Sequence, residues 1–262
     1  MRALKLLLIT VLLSLLSVAN GQVTQKVVDI PTRAGVTQRV LLLTPVDPKA
    51  TVILFPGGHG GFQISPNGSM KWGGGNFLVR TRQHFADAGF TVVIVDAPSD
   101  RQSPPILQAF RQKPEHAADI KALIAWARAS ASVPVWLVGT SRGTQSVAYL
   151  VTELAGSDGP DGIVLTSTIL KDGKGRSVPA MPLGKIRIPV LVVHHEQDGC
   201  ELCSFTLTPE LMGKLGNSPK AQLLALKGGE SKGDPCEAMA YHGFNGLERE
   251  VVAQTAARIL AK

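Results

Sequence analysis

The chain predicts an α/β fold: a mostly parallel sheet of about eight strands with helices on both faces. Three observations predict it. Short, nearly continuous apolar runs such as Thr51 to Phe55, Phe90 to Val95 and Val133 to Val138 recur along the chain, as strands buried on both faces require. Helix-length segments alternate with them, the pattern of parallel crossover connections. The composition, 44% hydrophobic with 27 Gly and 17 Pro, suits one sizeable core with many tight connections.

The elements follow in order. Val23 to Ile30 and Gln38 to Leu43 read as two early antiparallel strands. Thr51 to Phe55 is a buried strand ending in Pro56-Gly57-Gly58. Asn76 caps a helix running to about Ala88, and Gly89 stops it. After the strand from Phe90, Pro114 or Glu115 opens a helix to about Ser130. Val133 to Val138 leads into a helix from Ser141 to Ala155. Strands at Gly162 to Thr166, Pro189 to Val193 and Ala221 to Leu226 follow, with a short helix at Glu210 to Leu215. An amphipathic helix, Leu247 to Leu260, closes the chain. The Gly-rich connection from Pro56 to Gly75 is long, which marks it as functional or disordered. The segment from Leu170 to Leu183 is too short for a folded lid.

Residues 1–21 read as a secretory signal peptide: Arg2 and Lys5, an apolar run from Leu6 to Val18, then Ala19-Asn20-Gly21 as a small-residue cleavage site. The run is short for a membrane span, and no later segment is longer and as apolar. Residues 22–262 form a single domain, exported to a periplasm or secreted, with no stable membrane insertion after cleavage. Export makes the three cysteines, Cys200, Cys203 and Cys236, candidates for one disulfide and one free thiol. A redox pair in Cys200-Glu201-Leu202-Cys203 has no supporting context. The formal charge is +7, falling to +5 without Arg2 and Lys5, and the cations are scattered. Nucleic-acid binding is therefore not expected.

Val135-Trp-Leu-Val-Gly-Thr-Ser-Arg-Gly143 carries the chemistry. A serine between a buried strand and a helix sits on a sharp turn with its Oγ raised over the sheet edge, and Gly139 and Gly143 relieve the crowding there. The competing reading of Ser141 is a helix N-cap. The Arg142 amide, at the helix N-terminus, is placed to donate to an oxyanion. Of the six histidines, His242, on a loop before the last helix, can reach over the sheet edge as a base. Asp198, on the loop after a strand, is placed to orient it, with Glu196 and Asp172 as rival acids. The order Ser141, Asp198, His242 is the order of a Ser-Asp-His triad in α/β hydrolases. Pro56-Gly-Gly-His-Gly-Gly61 supplies the second oxyanion donor, the Gly58 amide with that of His59 next to it. His194 and His195 alternate across a strand and do not share a metal ion, so no metal and no cofactor is expected.

From Gln38 onward the chain resembles the α/β-hydrolase superfamily, nearest its small, exported, lidless members close to the dienelactone hydrolases. The residues that carry the likeness are L-F-P-G-G-H-G-G (54–61), G-T-S-R-G-T (139–144), P-V-L-V-V-H-H-E-Q-D (189–198) and H-G-F (242–244). The resemblance implies a serine-hydrolase fold without a lid domain and the triad Ser141, Asp198, His242. It departs from the dienelactone subgroup, whose nucleophile is typically Cys, and serine favours ester hydrolysis. With the triad assembled, the acid and base loops are neighbours. A Cys200–Cys236 disulfide would then fasten them, stabilising by about 3 kcal/mol, with Cys203 as the alternative to Cys200. An open site is expected, lined by His59, Phe62, Trp72 and Thr166, that takes small or surface-presented esters. An amidase or peptidase on the same triad, and a non-catalytic binding protein on the same fold, are the other readings.

Overall fold

The computed structural model describes residues 22–173 and 175–261; the predicted signal peptide, residues 1–21, lies outside the described residues. Eight strands form one sheet in the order β1-β2-β4-β3-β5-β6-β7-β8. They are β1 (Thr24–Pro31), β2 (Thr37–Thr44), β3 (Ala50–Phe55), β4 (Phe90–Pro98), β5 (Val135–Thr140), β6 (Gly162–Thr166), β7 (Val190–His195) and β8 (Ala221–Leu226). β2 runs antiparallel to both of its neighbours, and every pairing from β4 across to β8 is parallel.

Every residue of β3, β4, β5, β6 and β7 is buried, because helices cover both faces. Alternate residues of each strand feed two cores. On one face Ile53, Phe55, Val93, Leu137 and Val192 pack with α3 (Pro114–Ser130), α4 (Arg142–Glu153) and α5 (Thr208–Lys214). On the other, Val52, Leu54, Ile94, Val138 and Val193 pack with α1 (Phe77–Arg80), α2 (Arg82–Asp87) and α6 (Glu248–Leu260).

The helix expected from Asn76 to Ala88 is two short ones. Asn76 caps the first, its Oδ1 accepting from the Leu78 amide, but the ladder breaks at Thr81. The Thr81 hydroxyl donates to the Phe77 carbonyl at 2.7 Å and competes with the helical bonding there. β7 runs two residues beyond the expected Val193, which places His194 and His195 inside the sheet. The Gly-rich connection is ordered. Asp96, at the end of β4, accepts from the amides of Phe62 and Ile64 at 2.7 and 2.8 Å, and the Trp72 indole donates to the Gly61 carbonyl.

Candidate active site

The register pairs Phe55 with Gly139, Thr140 with Thr166, and Thr166 with Val193, so β3, β5, β6 and β7 end along one edge of the sheet. The loops that leave this edge bring the site together. Ser141 follows β5 at φ 52°, ψ −126°, a conformation that costs an L-residue about 1–3 kcal/mol. Its side chain caps nothing in α4, so the N-cap reading fails. The strain is held by crowding on both sides. A Cβ on Gly139 would lie 2.8 Å from the Gly143 carbonyl group, and one on Gly143 would overlap the Phe55 carbonyl oxygen. Only glycines permit strand, turn and helix to pass this closely.

Asp198 sits on a turn after β7, its amide donating to the His195 carbonyl. One carboxylate oxygen accepts from the Cys200 amide at 2.9 Å; the other meets His242 Nδ1 at 2.9 Å. The pair is buried, Asp198 7% and His242 4% exposed. With Nδ1–H committed to the carboxylate, His242 Nε2 is an acceptor; it is buried and has no hydrogen-bond partner among the described residues. Ser141 and His242 line the same cleft of about 420 Å³. The rival acids are engaged elsewhere: Glu196 pairs with Lys227 at 3.2 Å, and Asp172 with Arg142 at 2.6 Å.

The loop carrying His242 is held by residues that the sequence did not flag. Ser167 Oγ donates to the His242 carbonyl at 2.6 Å, and Arg80 Nη2 donates to that of Gly243. His195 stacks on Tyr241 with ring centroids 4.3 Å apart. His194, wholly buried, accepts the Thr168 amide at Nε2, and burial pushes it down to about 4. The two histidines thus serve separate partners. Cys200 and Cys236 form the disulfide, which lies in the cleft wall, and Cys203 is a buried free thiol. Cys200 Sγ, Cys203 Sγ and a His242 ring nitrogen lie within 4.8 Å of one another, but the disulfide occupies Cys200.

The Gly-rich loop forms the facing wall. Gly57 packs so closely on Ser141 that a Cβ there would lie 2.9 Å from the serine Cβ. Gly58 and Arg142 line the cleft, and neither amide donates a hydrogen bond among the described residues. Beneath the loop, the buried Arg111 donates from Nη2 to the carbonyls of Pro56 (3.2 Å) and Gly58 (3.3 Å), and from Nη1 to Ser146. Both peptide units flanking the Gly57–Gly58 amide are therefore anchored. Burial, with Arg142 nearby, pushes the Arg111 guanidinium down to about 9. Nothing in the sequence marks Arg111 except its place in a loop.

His59 and Phe62 line the cleft as expected. Two lining residues need correction. Thr166 is 1% exposed and spends its hydroxyl on the Gly139 carbonyl, bracing β6 against β5. Trp72 stands edge-on to His59, at 5.6 Å between ring centroids, rather than on the cleft wall. Ile169, Leu202, Glu237 and Ala238 line it instead.

No protein-family model matches the sequence, and no curated protein matches it. Solved structures do. A dienelactone hydrolase from Anabaena variabilis superposes with a TM-score of 0.60 at 16% identity, covering 90% of this chain and 96% of its own. A lidless α/β serine hydrolase from Xanthomonas campestris gives 0.55 at 16% identity, covering 90% and 94%. The chain has the α/β-hydrolase fold. An esterase from Pyrococcus furiosus, at 0.61 and 13% identity over 89% and 91%, shares this hydrolase fold. At such identities the likeness establishes architecture, and the chemistry must be argued from the site itself.

Proposed function

We propose that the protein is an exported serine hydrolase that cleaves carboxylic esters through an acyl-enzyme, with Ser141 as nucleophile, His242 as base and Asp198 as its orienting acid. The observation that carries this reading is the buried His242–Asp198 pair, with Nε2 unpartnered on the cleft that Ser141 lines. Ser141 Oγ attacks the ester carbonyl while His242 Nε2 takes its proton. Asp198 steadies the imidazolium, and the Gly58 and Arg142 amides hold the oxyanion. Collapse expels the alkoxide, which takes the proton from His242. Water, activated by the same imidazole, then releases the acid and frees Ser141.

Two further observations support parts of the reading. The disulfide suits an oxidising compartment, and no described helix is long and apolar enough to cross a membrane. The neighbours' names, esterase and hydrolase, point to the same reaction class.

The test is a fluorophosphonate probe on the mature protein, with the label located by mass spectrometry. Labelling is expected at Ser141. It should vanish in Ser141→Ala and fall at least about a hundredfold in His242→Ala. A folded protein that takes no label has no working triad, and a binding role on the same fold would then explain it better.

A further inference from the structure

Next to the catalytic cleft lies a second cavity of about 520 Å³, and the two share Gly58, His59 and Arg142 as a common wall. Its lining is strongly cationic: Arg111, Lys113, Arg142 and Arg176 face a single carboxylate, Asp172. That carboxylate is already taken. Arg142 holds it at 2.6 Å, and Gln145 donates to the same oxygen at 2.8 Å. Among the described residues Arg111 is bonded to Ser146 and to two carbonyls alone, and the Arg176 guanidinium donates to Gln112. Neither these two nor Lys113 has a carboxylate partner among the described residues.

A guanidinium buried without a counter-ion is destabilising unless something offsets it. Carbonyl dipoles offset part of that for Arg111. A negative group entering the cavity would complete the compensation, held by charge-assisted hydrogen bonds from the guanidinium groups. The shared wall contains Gly58 and Arg142, whose amides are assigned to the oxyanion, so a substrate whose carbonyl rests there lies beside these cations and can extend one end towards them. We propose that this cavity is a substrate subsite for an anionic oxygen group, so that the preferred substrate is an ester bearing a carboxylate or similar oxyanion away from the scissile bond. This rests on the serine-hydrolase reading and names its substrate class.

The experiment compares matched pairs of esters. Monomethyl glutarate against methyl pentanoate puts the charge on the acyl side; 4-acetoxybenzoate against phenyl acetate puts it on the alcohol side. In wild type the charged member of at least one pair should have a kcat/KM about tenfold higher than its neutral counterpart. The pair that shows the preference identifies which half of the ester enters the cavity. That ratio should fall towards one in the double variant Lys113→Gln/Arg176→Gln. It should also fall as salt is raised to about 0.5 M, because both side chains lie at the surface. Ratios of one or less in both pairs overturn the subsite, as does a preference that the double variant leaves intact. A protein that hydrolyses none of the four esters overturns the serine-hydrolase reading instead, a result distinct from equal hydrolysis of both members.

Discussion

Ser141 is held in a backbone conformation that its own side chain disfavours, and the surroundings leave it no alternative. Gly57, Gly139 and Gly143 press backbone against backbone around it, and α4 begins at the next residue. Strain of this kind clusters at functional sites, and under the proposed function it sets the Oγ over the sheet edge. A prediction follows that does not depend on any substrate. Ser141→Gly and Ser141→Ala both remove the hydroxyl, but only glycine removes the Cβ that makes φ 52° costly. Urea melts should find the glycine variant more stable than the alanine variant by about 1 kcal/mol. Equal stability would mean that the turn is not strained.

Among the elements, α3 and β7 each carry a histidine that the fold keeps neutral. His116, on α3, lies edge-on to Phe55 and Phe110, and neither ring nitrogen has a hydrogen-bond partner among the described residues. Burial, reinforced by Arg111 and Arg33, pushes it down to about 3; burial takes His194, on β7, to about 4. Both values lie below that of the unfolded chain, about 6.5. The unfolded state therefore binds more protons between about pH 6.5 and 4, and stability present above pH 6.5 is lost as pH falls. Each histidine should cost about 2 kcal/mol between pH 7 and pH 5. His116→Phe keeps the aromatic contacts and removes one of the two protons, so it should lose about half as much over that range. An unchanged pH dependence in this variant would mean that His116 is protonated or solvated in the native protein.

At the scale of the whole molecule, parallel register brings the ends of β3, β5, β6 and β7 to one edge, and the loops above that edge are tied to each other rather than to the sheet alone. The Cys200–Cys236 disulfide closes a segment with a sequence separation of 36 and links the Asp198 loop to the chain that leads to His242. Much of that chain, 227–237, is exposed and carries no regular structure, so the crosslink restricts it where packing does not. Cys236 is itself exposed, so Cys236→Ser leaves the core undisturbed. The variant should lose about 3 kcal/mol of stability. Dithiothreitol should destabilise the wild type to the same extent and leave the variant unaffected. Equal melts for wild type and variant would show that packing alone holds the two loops together.

The architecture and the candidate site residues were largely legible in the sequence, because both are written in local signals. Continuous apolar runs gave away the covered strands, with β6 and β8 bounded to the residue, and each of Ser141, Asp198 and His242 stands on a loop that follows or precedes a recognisable element. The sequence by itself thus determined the layered α/β fold, and it pointed to Ser141 and His242, which line one cleft, and to Asp198, which pairs with His242. Tertiary structure decided what surrounds them. Whether Thr166 faces the cleft or a neighbouring strand depends on strand pairing, and whether Trp72 faces substrate or His59 depends on the path of a long loop. The supports Asp96, Arg111 and Ser167 act on backbone groups far away in sequence, 75 residues away for Ser167 and His242. No local periodicity or spacing records such contacts, since a backbone carbonyl looks the same in every residue. The cationic cavity is of the same kind: Arg111 and Lys113 lie before α3, Arg142 starts α4 and Arg176 follows β6, and only the tertiary structure gathers them against the Gly-rich loop.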